Sequence, residues 1–273
     1  MNGLAGSGPG DAWAVDEIGL AFGIVGDYRV RTTYQPVFER REGMLVPVAM
    51  TSAAVLHRGG REIGPVQGAA LDLPARRLAG RLEAELAVRN ASFLETDEIE
   101  PDLLVPLDGT ARLDCEVIES LLAVAEEAAV SRHRLRFDIS NVVASLGAPI
   151  RVDPALASLL VADVSAAGAW PVAMAGHRPG LVRLPEPAAR LILEDGSTLR
   201  LLTALAGAIV RQGGMLQVEG IATPMLLRRA LSAGCMRLQG DFLAPAVAAG
   251  VPLDMTPRPI GGFVDMAEQK AEA

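Results

Sequence analysis

Residues 197–240, STLRLLTALAGAIVRQGGMLQVEGIATPMLLRRALSAGCMRLQG, alternate between helix and strand patterns more clearly than any other part of the chain. In the first half, apolar residues recur at helical spacing: Leu201, Leu202, Leu205, Ala206, Ile209 and Val210. Ser197 or Thr198 can cap this predicted helix, and Gly213 ends it. The strand MLQVEG, residues 215–220, is predicted to follow.

The second half of the stretch repeats the cycle. Thr223 is a natural N-cap with Pro224 at the first helical position, and Gly234 ends the helix. Its apolar face consists of Leu226, Leu227, Ala230 and Leu231. A short strand, MRLQG at 236–240, comes next. Helix and strand units of this size, one after another, predict a mostly parallel sheet covered by helices.

The same alternation extends outward from this stretch. Helical spacing is found at Val117, Ile118, Leu121, Leu122, Ala125, Ala128 and Ala129, and LRFDIS, 135–140, alternates like a strand. The apolar run 155–176 is predicted to be a buried helix and then a strand, divided by Gly168 and Pro171. A short helix is predicted over 11–26. A chain of 273 residues can close such a sheet into one barrel domain.

Composition excludes several classes of function. The 33 acidic and 25 basic residues give a net charge of −8, which disfavours binding to a nucleic acid polymer. The run 155–176 approaches the length of a membrane span, but Asp163 interrupts it, and no basic residue precedes Arg29 as in a signal peptide. We therefore expect a cytoplasmic protein. Cys115 and Cys235 lie in apolar surroundings and are predicted to be small buried thiols.

Short motifs along the chain resemble the EAL domain family, the bacterial phosphodiesterases that hydrolyse cyclic dimeric GMP (c-di-GMP). TYQPVF, 33–38, is similar to the opening Tyr-Gln-Pro-Ile segment, and VPVAMT, 46–51, then stands where Glu-Ala-Leu is expected. The remaining motifs are LLVPLD (103–108), LRFDISN (135–141), VEGIAT (218–223) and LQGDFLAP (238–245), which resemble the Val-Asn-Leu-Ser, Leu-x-x-Glu-Leu-Thr-Glu, Ala-Glu-Gly-Val-Glu-Thr and Gln-Gly-Tyr segments.

This resemblance implies a (βα)8-type, TIM-like barrel with its site at the carboxyl ends of the strands. We expect a single EAL-like barrel domain over 31–250, an N-terminal extension with a short helix over 1–30, and a C-terminal tail over 251–273. The tail and the helix at 11–26 are the predicted docking elements.

The resemblance also implies catalysis with Mg²⁺ or Mn²⁺, which require oxygen ligands, chiefly carboxylates. Several positions that carry a ligand or phosphate-binding residue in the family have lost it here: Ala49, Ala53, Pro106, Met174, Ala175 and Ala222. Ala49 stands for the Glu of Glu-Ala-Leu, and Met174 and Ala175 for the acidic pair of the Asp-Asp-Phe-Gly segment. We therefore expect no cofactor; Mg²⁺ or Mn²⁺ would be needed only by a residual functional site.

Five residues that the resemblance associates with ligand binding are retained: Gln35, Asp138, Arg190, Glu219 and Gln239. Arg190 aligns with the family's lysine, and Arg183 is a second candidate for it. These residues also allow a purely structural interpretation, in which Asp138 pairs with Arg136 or another basic side chain, Arg190 holds Glu219, and the glutamines bind backbone groups.

The expected function is that of a degenerate, catalytically inactive EAL-like protein that regulates signalling by binding a partner protein. The alternative is a c-di-GMP receptor without hydrolysis, and a residual phosphodiesterase ranks third. The resemblance also allows a homodimer. His57, His133 and His177 show no spacing typical of a metal pair or a catalytic triad; His177 lies where the family's acidic pair is expected.

Overall fold

The computed structural model of the protein describes residues 12–66, 71–94, 100–107, 115–139, 160–163 and 180–263. The strands are β1 (Trp13–Val15), β2 (Ala21–Val25), β3 (Tyr28–Arg41), β4 (Met44–Arg58), β5 (Arg61–Pro65), β6 (Asp102–Pro106), β7 (Leu135–Asp138), β8 (Leu160–Asp163), β9 (Leu181–Leu184), β10 (Met215–Val218), β11 (Arg237–Leu238), β12 (Val247–Ala248) and β13 (Arg258–Pro259). The helices are α1 (Leu73–Arg89), α2 (Cys115–Glu127), α3 (Glu186–Glu194), α4 (Leu199–Arg211) and α5 (Pro224–Ser232).

Eight strands follow one another in the hydrogen-bonded order β3-β11-β10-β9-β8-β7-β6-β4, and β4 pairs in turn with β3. The pairs β6–β7, β8–β9, β9–β10 and β10–β11 are parallel, whereas β3 runs antiparallel to β11. Helices join several of the parallel strands. This topology confirms the predicted TIM-like α/β barrel.

The chain contributes to two compact units, and β3 and β4 each supply residues to both. Unit 1 comprises Met1–Tyr34, Thr51–Gly147 and Val247–Leu253. Unit 2 comprises Gln35–Met50, Ala148–Ala246 and Asp254–Ala273. In the described part of each unit, buried aliphatic side chains of strands and helices form a core.

The N-terminal segment of unit 1 is a β-hairpin, so the helix predicted over 11–26 is wrong. β1 pairs antiparallel with β2, and β2 extends the sheet by pairing with β3. The Asp16 carboxylate accepts the backbone N–H groups of Ile18 and Leu20, and Gly19 has φ +88°. These features close a turn where the helix would have continued.

Three contacts fix this hairpin to unit 1. The Asn90 side chain pairs with the backbone of Ala21, accepting its N–H at 2.8 Å and donating to its carbonyl at 2.9 Å. The Arg89 guanidinium lies 4.2 Å from the centre of the Trp13 ring. Gly23 approaches Leu82 so closely that a Cβ there would lie 2.9 Å from the leucine Cδ1. The described part of the N-terminal extension is therefore an integral part of unit 1.

The sequence prediction for the third cycle is confirmed in unit 2, where α4, β10, α5 and β11 follow in order. The backbone N–H of Leu226 donates to Thr223 Oγ1 at 3.2 Å, which is the predicted cap of α5. Gly213 and Gly234 both have positive φ directly after a helix, as expected for helix ends. Thr198 stands at the N-cap of α4 without a capping bond from its side chain.

In the run 155–176, the described residues 160–163 form β8. The helix predicted for the first part of this run is therefore wrong at those positions. β8 pairs in parallel with β9, where Val161 lies opposite Leu181. Burial on both faces of a parallel strand produces a continuous apolar run that sequence periodicity cannot distinguish from a helix. The strand predicted after Gly168 lies outside the described residues.

The described part of the C-terminal tail belongs to the core of unit 2. β13 pairs with the start of β4, where Arg258 lies opposite Leu45. The Phe263 side chain is buried, and its ring centre is 6.0 Å from that of Phe242. Residues 254–263 are thus part of the fold of unit 2, and a docking role of the tail stays a prediction.

Cys235 is a free, buried cysteine of unit 2, and burial raises the pKa of its thiol to about 12. This confirms its predicted character, whereas the side chain of Cys115 lies outside the described residues. Among the described helices, none is both long and apolar enough to cross a membrane.

Candidate functional site

Glu219 follows the last residue of β10 and is bound by Arg183 of the neighbouring strand β9. The Arg183 Nε lies 2.7 Å from Glu219 Oε1, and Nη2 donates to Oε2 at 3.3 Å. The backbone N–H of Glu219 donates to the carbonyl of Leu184, which continues the β9–β10 ladder to this point. The guanidinium therefore lies against both carboxylate oxygens, with a hydrogen bond from Nη2 to Oε2 and a charge contact between Nε and Oε1 that lacks hydrogen-bond geometry.

Arg190 does not hold Glu219, and this part of the structural interpretation is wrong. Arg190 lies on α3, where its Nε contacts Glu194 at 2.8 Å one turn further along the helix. The reason is that β9 ends at Leu184 and Pro185 begins α3, so the residues after 185 leave the sheet. Arg183, the second candidate, is the arginine that lies beside Glu219.

The retained glutamines bind each other in a chain of side-chain amides within unit 2. Gln217 Nε2 donates to Gln239 Oε1 at 3.0 Å, and Gln239 Nε2 donates to Gln35 Oε1 at 2.8 Å. Gln35 Nε2 in turn donates to Asp241 Oδ1 at 2.9 Å and to the Ala244 carbonyl at 3.1 Å. The amide groups predicted for ligand binding thus have hydrogen-bond partners inside the protein. One of these partners, the Ala244 carbonyl, is a backbone group as predicted, and the others are side chains.

Gln217 is the member of this chain that sequence reasoning missed. It lies in β10 between Leu216 and Val218, which pack into the core of unit 2, and the alternation of a strand puts Gln217 and Glu219 on the opposite face. The sequence did contain a signal for it: in a strand, residues two positions apart share a face, so Gln217 is expected beside Glu219. The Gln217 side chain is fully buried, and within the described part of the chain its Oε1 has no hydrogen-bond partner.

A second ion pair connects β11 to β3 in unit 2. Arg237 Nε lies 3.1 Å from Glu39 Oε2, and Arg41 Nε lies 2.8 Å from Glu39 Oε1. Burial raises the pKa of Glu39, but hydrogen bonds and charge from Arg41 and Arg237 outweigh it and hold the pKa below its ordinary value. Arg237 and Arg183 are both register partners of Gln217 across adjacent strands. Arg183 and Arg237, which flank Gln217 on the two neighbouring strands, are therefore both paired with a glutamate.

Asp138 is the last residue of β7 in unit 1, where it is buried. Its register partner across the β6–β7 ladder is Pro106, and its carbonyl accepts the N–H of Leu107 at 3.0 Å. Of the two alternatives for Asp138, the pair with Arg136 is wrong, because the Arg136 guanidinium contacts Asp102 at 3.3 Å and the carbonyls of His133 and Leu135. A pair with another basic side chain stays a prediction. Asp138 thus stands at the strand end beside a residue that cannot supply a side-chain oxygen.

Four of the positions with a lost ligand can be located in the structure, among them Pro106 at the end of β6. Ala49 is fully buried in β4, Ala222 is exposed in the loop between β10 and α5, and Ala53 is exposed in β4. Met174, Ala175 and His177 lie outside the described residues. His57 and His133 lie in the polar contexts predicted for them and are partly or largely exposed.

The described residues of unit 2 do not fit a catalytic divalent cation. Hard cations such as Mg²⁺ take several oxygen ligands, most often carboxylates. Over the described ranges, no three His, Cys, Asp or Glu residues group closely enough to hold a metal ion. In unit 2 the Glu219 carboxylate faces a guanidinium, while Ala49 and Ala222 offer only methyl groups.

Several solved structures share this fold. The FimX EAL domain of Xanthomonas citri in complex with c-diGMP is 15% identical with a TM-score of 0.62, and the match covers 83% of this chain and 91% of that one. The FimX EAL domain of Pseudomonas aeruginosa bound to c-di-GMP is 16% identical with a TM-score of 0.64, covering 83% and 94%. A c-di-GMP-bound standalone EAL protein of Vibrio cholerae is 14% identical, with a TM-score of 0.60 and coverage of 83% and 95%.

In sequence, no curated protein matches the chain significantly. The family model described as "EAL domain" matches residues 25–246, which is most of the chain and contains the motifs from TYQPVF to LQGDFLAP. The chain belongs to the EAL domain family.

Proposed function

We propose that this chain is a non-hydrolysing EAL domain protein that acts in cytoplasmic c-di-GMP signalling by binding a partner protein. One observation carries the proposal: the Arg183 guanidinium lies within ion-pair distance of Glu219, the carboxylate retained after β10, and donates a hydrogen bond to one of its oxygens. Hydrolysis of a phosphodiester by metal ions needs carboxylates that are available to the metal. When a fold is kept but the ligand residues of its site are lost or paired internally, its function is expected to lie elsewhere, here in binding a partner protein at the surface.

The glutamines support the same conclusion. Gln35 and Gln239 use their amides to hold each other, Gln217 and Asp241. A nucleotide that recruited these amides would have to replace several internal hydrogen bonds, each of which costs free energy when left unmade. The arrangement therefore favours a role in the stability of unit 2 over a role in recognition.

The test is affinity capture with the full chain as bait. Truncation is unsuitable, because Trp13 and Phe263 near the two ends of the described chain pack into the units. A matched bait is the double variant Arg183→Met/Glu219→Leu, in which an apolar pair replaces the ion pair. We expect both baits to retain the same specific protein, with and without added c-di-GMP. Failure of the full chain to capture any specific protein under all conditions would contradict the proposal.

A second candidate function is that of a c-di-GMP receptor without hydrolysis. It is favoured by the fact that Gln35 within β3, Glu219 after β10 and Gln239 after β11 remain on neighbouring strands of unit 2, and that similar folds have been solved with c-di-GMP bound. Titration calorimetry with c-di-GMP, in Mg²⁺ and in a chelator, separates the two. The partner-binding proposal predicts no heat at high micromolar protein, whereas saturable heat lost in Gln35→Leu would establish the receptor.

A further inference from the structure

We infer that Arg183 keeps divalent cations away from Glu219, acting as a permanent internal counter-ion in the place of a metal. This inference deepens the proposed loss of hydrolysis and rests on it for its biological meaning. It concerns metal binding alone, however, and can be tested without nucleotide or partner. Its starting point is the contact of the guanidinium with both carboxylate oxygens, at 2.7 and 3.3 Å.

The position of Arg183 is fixed by the sheet and does not depend on a flexible side chain reaching across solvent. In the β9–β10 ladder Arg183 is the register partner of Gln217, two residues before Glu219, and the ladder extends to Glu219 through its N–H bond to Leu184. The side chains of Arg183 and Glu219 are only 14% and 16% exposed. The pair is thus held from both sides by backbone hydrogen bonds in a mostly buried setting.

The chemistry of arginine makes this counter-ion permanent. A guanidinium stays protonated at any physiological pH and matches the two oxygens of a carboxylate in one plane. A divalent cation that approached the same oxygens would meet a positive charge at a few ångströms in a poorly screened environment. Among the described side chains of unit 2, Ala49 and Ala222 lack ligand atoms and the Gln239 amide oxygen already accepts from Gln217; Asp163, at the end of β8, is the register partner of Arg183 itself.

The experiment measures Mn²⁺ binding by electron paramagnetic resonance, in which the signal of free Mn²⁺ falls as the ion is bound. The variants are Arg183→Met, which removes the charge and keeps the volume, Arg183→Lys, which restores a positive charge, and Arg183→Met/Glu219→Gln. The matched control is Arg190→Met, which releases the exposed Glu194 of the same unit from an equivalent pair. Circular dichroism reports whether each variant is folded.

We expect Arg183→Met to bind one Mn²⁺ at least about tenfold more tightly than the natural chain, a change of about 1.4 kcal/mol. The gain should disappear in Arg183→Met/Glu219→Gln and should be absent in Arg183→Lys and in Arg190→Met. Equal Mn²⁺ binding by the natural chain and Arg183→Met would overturn the inference, and so would binding by the natural chain that Glu219→Gln abolishes.

If Arg183→Met unfolds because Glu219 is left buried and charged, the inference still makes a prediction. Mn²⁺ should then restore its folded circular dichroism spectrum, and Arg183→Gln, a neutral variant that can still donate to the carboxylate, should fold and gain Mn²⁺ affinity. Absence of both effects would contradict the inference. Metal-dependent turnover of c-di-GMP by the natural chain would instead refute the proposed function. The Mn²⁺ titrations of the natural chain and Arg183→Met would still decide whether Arg183 excludes the cation from Glu219.

Discussion

Two of the arginine–glutamate pairs in unit 2, Arg183–Glu219 and Arg190–Glu194, share their chemistry and differ in their surroundings. Arg183–Glu219 joins the ends of β9 and β10 with side chains 14% and 16% exposed, whereas Arg190–Glu194 lies along α3 with side chains 66% and 49% exposed. Exposed pairs contribute little to stability, because water and salt screen them and both side chains lose freedom. Of these two pairs, we therefore expect the inner one to have the larger effect on stability and on metal binding.

The largest expected effect is on the inner pair. Arg183→Met leaves the Glu219 carboxylate in a mostly buried position without its guanidinium, and breaking a buried pair typically costs about 3–5 kcal/mol. We expect a loss of that size in the free energy of unfolding, measured by urea denaturation. Replacing both members, as in Arg183→Met/Glu219→Leu, should recover most of the loss, because no uncompensated charge remains. A double variant as unstable as the single one would show that the pair is not the cause.

The amide chain gives the next largest effect. Gln239→Leu removes the partner of both Gln217 and Gln35 in the interior of unit 2, and each unsatisfied buried group costs about 1–3 kcal/mol. We expect the midpoint of urea unfolding to fall accordingly. The control is Gln212→Leu at the exposed end of α4, for which we expect almost no change. Equal effects at the two positions would mean that the buried amides do not contribute as described.

Glu39 extends the comparison to acid pH. Because its pKa is held below the ordinary value, its contribution to stability is fully present above the pKa of the unfolded chain, about 4.3, and is lost as the pH falls through the lower, folded-state pKa. Urea unfolding at a series of pH values should show the natural chain and Glu39→Gln converging in stability as the pH falls below about 4. A difference that stays constant over this range would contradict the assignment of the ion pair.

The smallest expected effect belongs to the outer pair. Arg190→Met removes a pair that is exposed on α3, and such helix pairs contribute about 0.3–0.5 kcal/mol. Urea unfolding of this variant should therefore be almost unchanged, and any small change should vanish at high salt. A loss comparable to that of Arg183→Met would remove the contrast between the interior and the surface on which the comparison depends.

The sequence predicted the fold well where local signals agree. Thr223, Pro224 and Gly234 mark both ends of α5, and the apolar face between them matches the helix that forms. The prediction failed over 11–26, where apolar residues spaced by two and three positions suited either structure. The Asp16 turn and the contacts of Trp13 and Asn90 with the rest of unit 1, which are tertiary, select the hairpin.

The sequence predicted which residues form the candidate site better than it predicted which of them contact each other. Gln35, Glu219 and Gln239 do lie together in unit 2, linked through β3, β10 and β11. The choice between Arg183 and Arg190 depended on where β9 ends, and a sequence does not indicate strand ends to within a few residues. Gln217 was overlooked because a buried glutamine inside an apolar strand is visible only once its neighbours across the sheet are known.

The central claim is that the groups retained at this site no longer support hydrolysis. Its most direct test is to incubate the natural chain with c-di-GMP and Mn²⁺, and separately with Mg²⁺, and to measure linear dinucleotide by chromatography. We predict no product above a control without protein, because Arg183 occupies the Glu219 carboxylate. Linear product that forms with the natural chain and disappears in Glu219→Gln would contradict the account.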